Sequence, residues 1–325
     1  LGCAFPEGEQ GFNMARLVGL MAGLPISVAG TTVNRFCGSS MQAIHMAAGA
    51  IQMGAGDVFI CAGVESMSRV PMSGFNPMPN PALCESMPAA YMSMGETAEN
   101  VGREYAISRE EQEVFAVASQ HKAGDAQTKG LLTDEIVPIE VGGHSIEEDG
   151  CLRPTTDLAG LAGLKLAFDE NGTVTAGTSS PLTDGAAATL VCSLDYANAN
   201  GLTPMARIAG IAVSGCKPET MGLGPIFSSR KALSRAGIEA KDLDVVEINE
   251  AFATQSIASI RDLELDTAKV NIDGGAIAIG HPLGATGARI TGKAAQLLKR
   301  QGGRYALSTQ CIGGGQGIAT VLEAA

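Results

Sequence analysis

Between Thr31 and Ser66 a strand, a sharp turn, a helix and a second strand follow one another, and few architectures accept that succession. Thr31-Thr32-Val33 is β-rich, Gly38 to Met53 sets Met41, Ile44, Ala48 and Ile51 at helical spacing, and Asp57 to Ala62 reads as a buried strand. Such a unit joins parallel strands through a right-handed crossover, which points to the α/β class. The rhythm returns late in the chain. Asp244 to Ile248 reads as a strand, a helix starts at about Phe252, and Lys269 to Ile272 reads as another strand. A glycine-rich loop and a helix from Gly287 to Arg300 follow, and Arg304–Thr309 and Ile318–Glu323 read as two strands around a glycine turn. Val33-Asn34 and Val270-Asn271 each close a strand before a turn and a helix, so two similar βαβ halves packed together are expected. The zone between them, Met67 to Thr183, has a Met/Pro/Asn-rich stretch from Pro71 to Pro88, a charged helix over Ser108–Thr128 and irregular connections through Asp149. It reads as an inserted, loop-rich lobe of the kind that carries binding function.

Composition narrows the function. Lys and Arg number 22 against 34 Asp and Glu, a net charge of −12, and no basic stretch occurs; with 4% aromatics and no Trp, nucleic-acid binding is not expected. No apolar run reaches 18 residues, so no membrane span is expected. The eight cysteines are at least 23 residues apart and form no C-x-x-C, which argues against zinc ribbons and for a reduced, intracellular setting. That setting is cytoplasmic for a bacterial protein, with an organelle as the alternative. Leu1 opens into Gly2-Cys3-Ala4 without a Met, and the expectation is a chain that begins inside a longer polypeptide.

Four segments could carry chemistry. Cys37, in Asn34-Arg35-Phe36-Cys37-Gly38-Ser39-Ser40, stands between strand and helix, where a helix N-terminus favours the thiolate; a buried inert cysteine is the alternative. His281 lies in a long glycine loop, Gly274 to Gly287, suited to a general base or an oxyanion donor, or is a plain surface histidine. Cys311 heads Ile312-Gly313-Gly314-Gly315, whose N–H groups can form an anion nest, or stands idle in a hairpin. Asn249, in Asn249-Glu250-Ala251-Phe252, leaves a strand end where ligands bind in open α/β sheets, or caps the next helix. Other patterns fail. Gly287 to Ala294 has P-loop spacing but Ala294 replaces the magnesium-holding Ser or Thr; no G-x-G-x-x-G follows a strand; no H-E-x-x-H is present, so no metal site is expected. Asn171-Gly172-Thr173 is a formal glycosylation sequon without weight in a reduced compartment.

Taken in order, Asn-Arg-Phe-Cys-Gly-Ser-Ser at Cys37, Asn-Glu-Ala-Phe from Asn249, Gly-His-Pro-Leu-Gly at His281 and Cys-Ile-Gly-Gly-Gly from Cys311 closely resemble the thiolases across essentially the whole chain, with the family's opening strand expected to be missing at the N-terminus. The resemblance implies the thiolase fold, two similar βαβ-type halves in an α/β/α/β/α layering. The N-terminal half would take residues 1–66 plus 183–203, the loop domain for CoA and acyl chain 67–182, and the C-terminal half 204–325. It makes Cys37 the acylated nucleophile, His281 the acceptor of its proton and Cys311 the acid/base at the acetyl-CoA carbon. Asn249 would hold a water that acts with His281 on the thioester oxygen, and the N–H groups of Cys37 and Gly313 would form a second oxyanion hole. Arg153, Phe168, Ser180 and Met94 are the implied CoA and substrate contacts.

The implied reaction is thiolytic cleavage of a 3-ketoacyl-CoA to acetyl-CoA and a shortened acyl-CoA, in fatty-acid β-oxidation, with CoA as co-substrate and no metal or redox cofactor. Ser93 stands where short-chain acetoacetyl-CoA thiolases commonly carry His, and this favours the degradative branch over acetyl-CoA acetyltransferase. A ketoacyl synthase and a non-catalytic scaffold subunit are the remaining rivals. A homodimer or homotetramer, and a fatty-oxidation complex as a possible partner, are implied by resemblance alone.

Overall fold

The computed structural model describes residues 1–325. The chain enters at Gly2, which bridges Val33 on one side and Gly63 on the other, both in parallel. Helix α1 (Met14–Met21) precedes the Val33 segment, and α2 (Ser39–Gln52) and β1 (Val58–Ser66) follow it. The strand expected at Thr31–Val33 shrinks to that single bridge: Val33 N–H donates to Leu1 and its carbonyl accepts from Cys3, and the chain then turns through Phe36, whose φ of 43° is left-handed.

The inserted lobe holds α3 (Pro81–Ser86), α4 (Met94–Glu104) and α5 (Arg109–Thr128), a short antiparallel hairpin of β2 (Ile139–Val141) and β3 (His144–Ile146), and α6 (Leu158–Ala162). Ser108 begins α5 as a capping box: its hydroxyl accepts from Glu111 N–H while the Glu111 carboxylate accepts from Ser108 N–H. The chain returns as β4 (Asp184–Cys192), antiparallel to β1 from Val58↔Cys192 to Ser66↔Asp184, and continues into α7 (Leu194–Ala199).

The second half comprises β5 (Ala206–Gly215), α8 (Gly224–Ala236), β6 (Val245–Ile248), α9 (Ala253–Asp262), α10 (Ala276–Ile279), α11 (Thr286–Gln301), β7 (Tyr305–Ile312) and β8 (Gln316–Ala324). The strand expected at Lys269–Ile272 is again one parallel bridge, Val270 to Val246, because the chain turns away at Asn271 with φ 44°. The sheet order is β5-β8-β7-β6, with Val270 beside β6. The first half repeats it as β4, β1, Gly2 and Val33, so the βαβ duplication is real. The match extends to the left-handed residue after each bridge, and only β5 lacks a counterpart.

Helices α2 and α11 form the middle layer between the two sheets. Met41 of α2 packs with Ile290 of α11, Ile312 and Ile318, while Ala43, Ile44 and Ala47 face Cys61 of β1. The helices touch at Gly287, where a Cβ would lie 2.3 Å from Met41 N; only glycine permits that approach. Helix α8 covers the far face of the C-terminal sheet. It ends at Gly237 with φ 72°, a C-terminal glycine stop that sequence reading passed over together with β5.

Candidate active site

Cys37 is positioned from both halves. Asn34 Oδ1 accepts from Phe36 N–H at 2.8 Å, and Ser39 Oγ accepts from Arg35 N–H at 2.9 Å while donating to the Phe36 carbonyl at 2.6 Å; together they hold the left-handed turn. A Cβ on Gly38 would lie 2.6 Å from Ile312 Cδ1, so glycine lets the turn settle on the end of β7. The Gln310 side-chain amide donates to the Cys37 carbonyl, fastening the turn to the strand that carries Cys311.

The thiol is buried, and burial pushes its pKa up to about 11, although the N–H groups of Gly313 and of Cys37 itself pull it partway back. Burial thus works against the helix-stabilised thiolate that the sequence suggests, Cys37 lying two residues ahead of α2. Cys311, near the end of β7 opposite Gly317, is pushed well above the ordinary thiol range, first by burial and then by the field of Cys37. The Gln310 bond to Cys37 and the approach of Phe36 to Gly313, where a Cβ would lie 3.7 Å from its ring, set the Cys37 turn against the strand end that carries Cys311. Ala98, Val174, Met221, Ala251 and Phe252 enclose Cys311, with Met94 against them.

His281 is no surface histidine; it is 4% exposed. Gly280 precedes it with φ 92°, and the His281 N–H donates to Thr183 Oγ1 at 3.1 Å. Its Nδ1 lies 2.6 Å from Thr286 Oγ1 and its Nε2 3.3 Å from Asn249 Nδ2. An amide N–H donating to Nε2 leaves Nδ1–H to donate to Thr286, so Nε2 is the basic nitrogen. Burial, aided by Arg289, pulls the imidazole down to about 3 and keeps it neutral. Asn249 leaves β6 with its N–H donating to the Thr309 carbonyl at 3.0 Å, in register with β7. Its Oδ1 is buried with no partner, an acceptor free for a water or a substrate group.

Gly313 opens the glycine turn after β7; a Cβ there would lie 3.4 Å from Met94 Sδ and 3.7 Å from Phe36. Met94 therefore borders the site. It begins α4, where Ser93 is the cap: its hydroxyl accepts from Glu96 N–H at 3.4 Å and donates to Glu96 Oε2 at 2.6 Å. Ser180 runs along the Asn249–Phe252 segment, its N–H donating to the Ala251 carbonyl at 3.0 Å. Phe168 stands edge-on to Phe252 with ring centres 5.9 Å apart. Arg153 is the outlier. Its side chain is exposed, its N–H donates to Gln120 Oε1 at 2.8 Å, and none of its bonds reaches Cys37, His281 or Cys311.

Sequence reading missed the groups that hold the His281 loop. Besides Thr183 and Thr286 these are two buried carboxylates. Glu65 accepts from Gly284 N–H at 2.9 Å, Ala4 N–H at 2.7 Å and Gln10 Nε2 at 3.0 Å. Glu250 grips the loop's other end. The signal available was Glu250's place beside Asn249; nothing local marked Glu65.

The family description "Thiolase, N-terminal domain" matches residues 1–195 and "Thiolase, C-terminal domain" matches residues 202–324. The chain is 47% identical over 336 residues to a protein named 3-ketoacyl-CoA thiolase from Bacillus subtilis (strain 168), covering 99% of this chain and 86% of the relative. It is equally 47% identical, over 348 residues and with the same coverage, to one named 3-oxoadipyl-CoA/3-oxo-5,6-dehydrosuberyl-CoA thiolase from Escherichia coli (strain K12). The crystal structure of human mitochondrial 3-ketoacyl-CoA thiolase in complex with CoA superposes with a TM-score of 0.92 at 40% identity, over 100% of this chain and 85% of that one.

Proposed function

The chain belongs to the thiolase family, its two domain descriptions together spanning nearly every residue, and we propose that it cleaves 3-ketoacyl-CoA with CoA to acetyl-CoA and a shortened acyl-CoA. What supports this reading is that the Cys37 turn is fastened by Gln310 to the strand carrying Cys311, while Leu283 of the His281 loop packs on Cys37 and Asn249 bonds His281.

Burial pushes both thiols up and the imidazole down, which favours their neutral forms at rest. Proton transfer therefore accompanies attack rather than preceding it: His281 Nε2 takes the Cys37 proton as the sulfur bonds to the 3-keto carbon. The C2–C3 electron pair then leaves with acetyl-CoA as an enolate, a water held by Asn249 acts with His281 to stabilise its oxygen, and the Cys311 thiol supplies the proton to C2. Free CoA gives a proton to the Cys311 thiolate and attacks the Cys37 thioester. The N–H groups of Cys37 and Gly313 face the tetrahedral oxygen, and Cys37 leaves with the proton held by His281. The scheme uses CoA as co-substrate and involves no metal or redox group.

The wall beside Cys37 favours a neutral acyl chain. Ala4 and Leu283 pack with Cys37, Phe5 and Met67 lie against them, and the Phe5 and Phe36 ring centres are 5.8 Å apart. None of these residues carries the charge that the far carboxylate of a 3-oxoadipyl chain would seek. Met46, Ile60 and Leu190 of the N-terminal half expose 47%, 55% and 53% of their surface, which favours a homo-oligomer that buries them. Eight free thiols suit a reducing compartment, and no helix is long and apolar enough to cross a membrane.

Mass spectrometry of the protein mixed with C4 and C10 3-ketoacyl-CoA and 3-oxoadipyl-CoA tests the assignment. The expected result is an acyl adduct on Cys37 from the neutral chains. An adduct from 3-oxoadipyl-CoA alone would overturn the substrate, and adducts confined to C4 would move the chain to the acetoacetyl-CoA branch.

A further inference from the structure

Asn249 and His281 come from different segments, the end of β6 and the loop after α10, yet their side chains lie 3.3 Å apart, close enough to act on one thioester oxygen. No backbone hydrogen bond joins those segments. One carboxylate joins them. Glu250, the residue after Asn249, accepts from Ile277 N–H at 3.1 Å, four residues before His281. It also accepts from Asn271 Nδ2 at 2.7 Å, and Asn271 is clamped to β6 by its side chain: Oδ1 accepts from Ile248 N–H and Nδ2 donates to the Ile248 carbonyl, both at 2.9 Å. The third donor comes from the lobe. Ser119 Oγ of α5 donates to Glu250 at 2.6 Å and accepts from Gly275 N–H at 3.0 Å.

We propose that Glu250 is a positioning residue that sets the distance between Asn249 and His281 and ties it to helix α5 of the inserted lobe. Its side chain is buried, at 2% exposure, beside a cavity of about 520 Å³ between α5 and α9, and these bonds fix its orientation there. Gly275 passes so close to the carboxylate that a Cβ there would lie 2.2 Å from Glu250 Cδ, which fixes the loop against the acid. Three donors converge on two oxygens, so glutamine is no substitute. Whichever way its amide turns, an NH₂ group faces Asn271 or Ile277, and both are donors. The inference rests on the thiolase reading, since it presumes that Asn249 and His281 act together on substrate.

The test is Glu250→Gln and Ser119→Ala in the full chain, with active sites counted by iodoacetamide uptake at Cys37 and rates expressed per labelled site. A loss of packing or folding alone lowers the count and leaves the rate per site unchanged. A displaced Asn249–His281 pair lowers kcat per site, on the order of 10²-fold for a shift near 1 Å, while the KM for CoA stays within about threefold. Ser119→Ala should give a smaller loss in the same direction, and it decides the matter if Glu250→Gln does not fold. Wild-type kcat per site in every variant that folds would overturn the positioning role while leaving the reaction intact. Failure of the wild-type protein to form an acyl adduct on Cys37 would overturn the reaction and this inference together.

Discussion

The two halves follow one plan and spend it differently. After Val33 and after Val270 the chain passes a left-handed residue, Phe36 with φ 43° and Asn271 with φ 44°, and leaves the sheet. In the first half that turn presents Cys37. In the second it presents no reactive atom; Asn271 laces β6 to Glu250, and the chemistry sits farther on at His281. The halves also differ in cover. β6 and β7 are buried almost throughout, whereas β4 alternates exposed and half-buried residues because no helix covers its outer face as α8 covers that of the C-terminal sheet. Duplication supplies two platforms, and side chains at equivalent turns decide which one bears the nucleophile.

The largest expected effects separate the thiols that the halves contribute. Cys37→Ala removes the atom that is acylated and should lower activity on the order of 10⁴-fold or more. Cys311→Ala should cost about 10²- to 10⁴-fold in carbon–carbon cleavage yet leave Cys37 able to take an acyl group from a simple acyl-CoA. Adduct formation followed by mass spectrometry distinguishes them. Equal loss of the adduct in both variants would mean that the sulfurs act as one unit.

A second measurement concerns the charge state of Cys37. With its thiol pushed up to about 11, roughly one site in 10⁴ is thiolate at pH 7, so the iodoacetamide rate of the free enzyme should climb about tenfold per pH unit through pH 9. A plateau near pH 6 would reveal a thiolate–imidazolium pair and break the account of a neutral resting site.

Stability in acid should reflect both halves. His45 of α2, 2.8 Å from Thr320 Oγ1, and His281 are each held at about 3 against an ordinary 6.5, in both cases mainly by burial. The unfolded chain takes up protons at these imidazoles below pH 6.5 while the folded chain does not. Their contribution is therefore present above pH 6.5 and is lost as the pH falls toward 3. Urea midpoints at pH 7.5, 5.5 and 4.5 should decline in that order; a flat series would refute the buried neutral state.

The alternation of strand and helix made the duplication readable, because a crossover of that length leaves little choice of pairing. Cys37, His281, Cys311 and Asn249 were readable because each sits at a strand end or in a glycine turn, where backbone approach dictates the residue type. The short pairings at Val33 and Val270 were overread as strands, since β-branched residues signal extension but not the presence of a partner. Glu65 and Ser119 were invisible: each acts at residues more than 100 positions away, at Gly284 and Glu250, and no local pattern records that. The burial of the Cys37 thiol was invisible for a related reason, as a helix N-terminus is a local feature and burial is not.

The smallest effect bears on the difference in cover. Leu307 in β7 is fully buried in the large core with Val246, Ile248 and Val321, and Leu307→Ala should cost about 2–5 kcal/mol. Leu190 in β4 is 53% exposed, so Leu190→Ala should lie within about 0.5 kcal/mol of wild type. Urea unfolding of both variants checks the pair, provided it is repeated over a range of protein concentrations. If Leu190→Ala proves nearly as costly as Leu307→Ala at high concentration and mild on dilution, the open side of β4 is covered by a second copy in solution, and the two halves are equally sealed in the assembly. If the cost is high at every concentration, the cover lies within one chain and β4 packs more closely than its exposure indicates. A small cost throughout leaves the asymmetry as drawn: one half sealed around the hinge of the His281 loop, the other holding its nucleophile at the margin of an uncovered sheet.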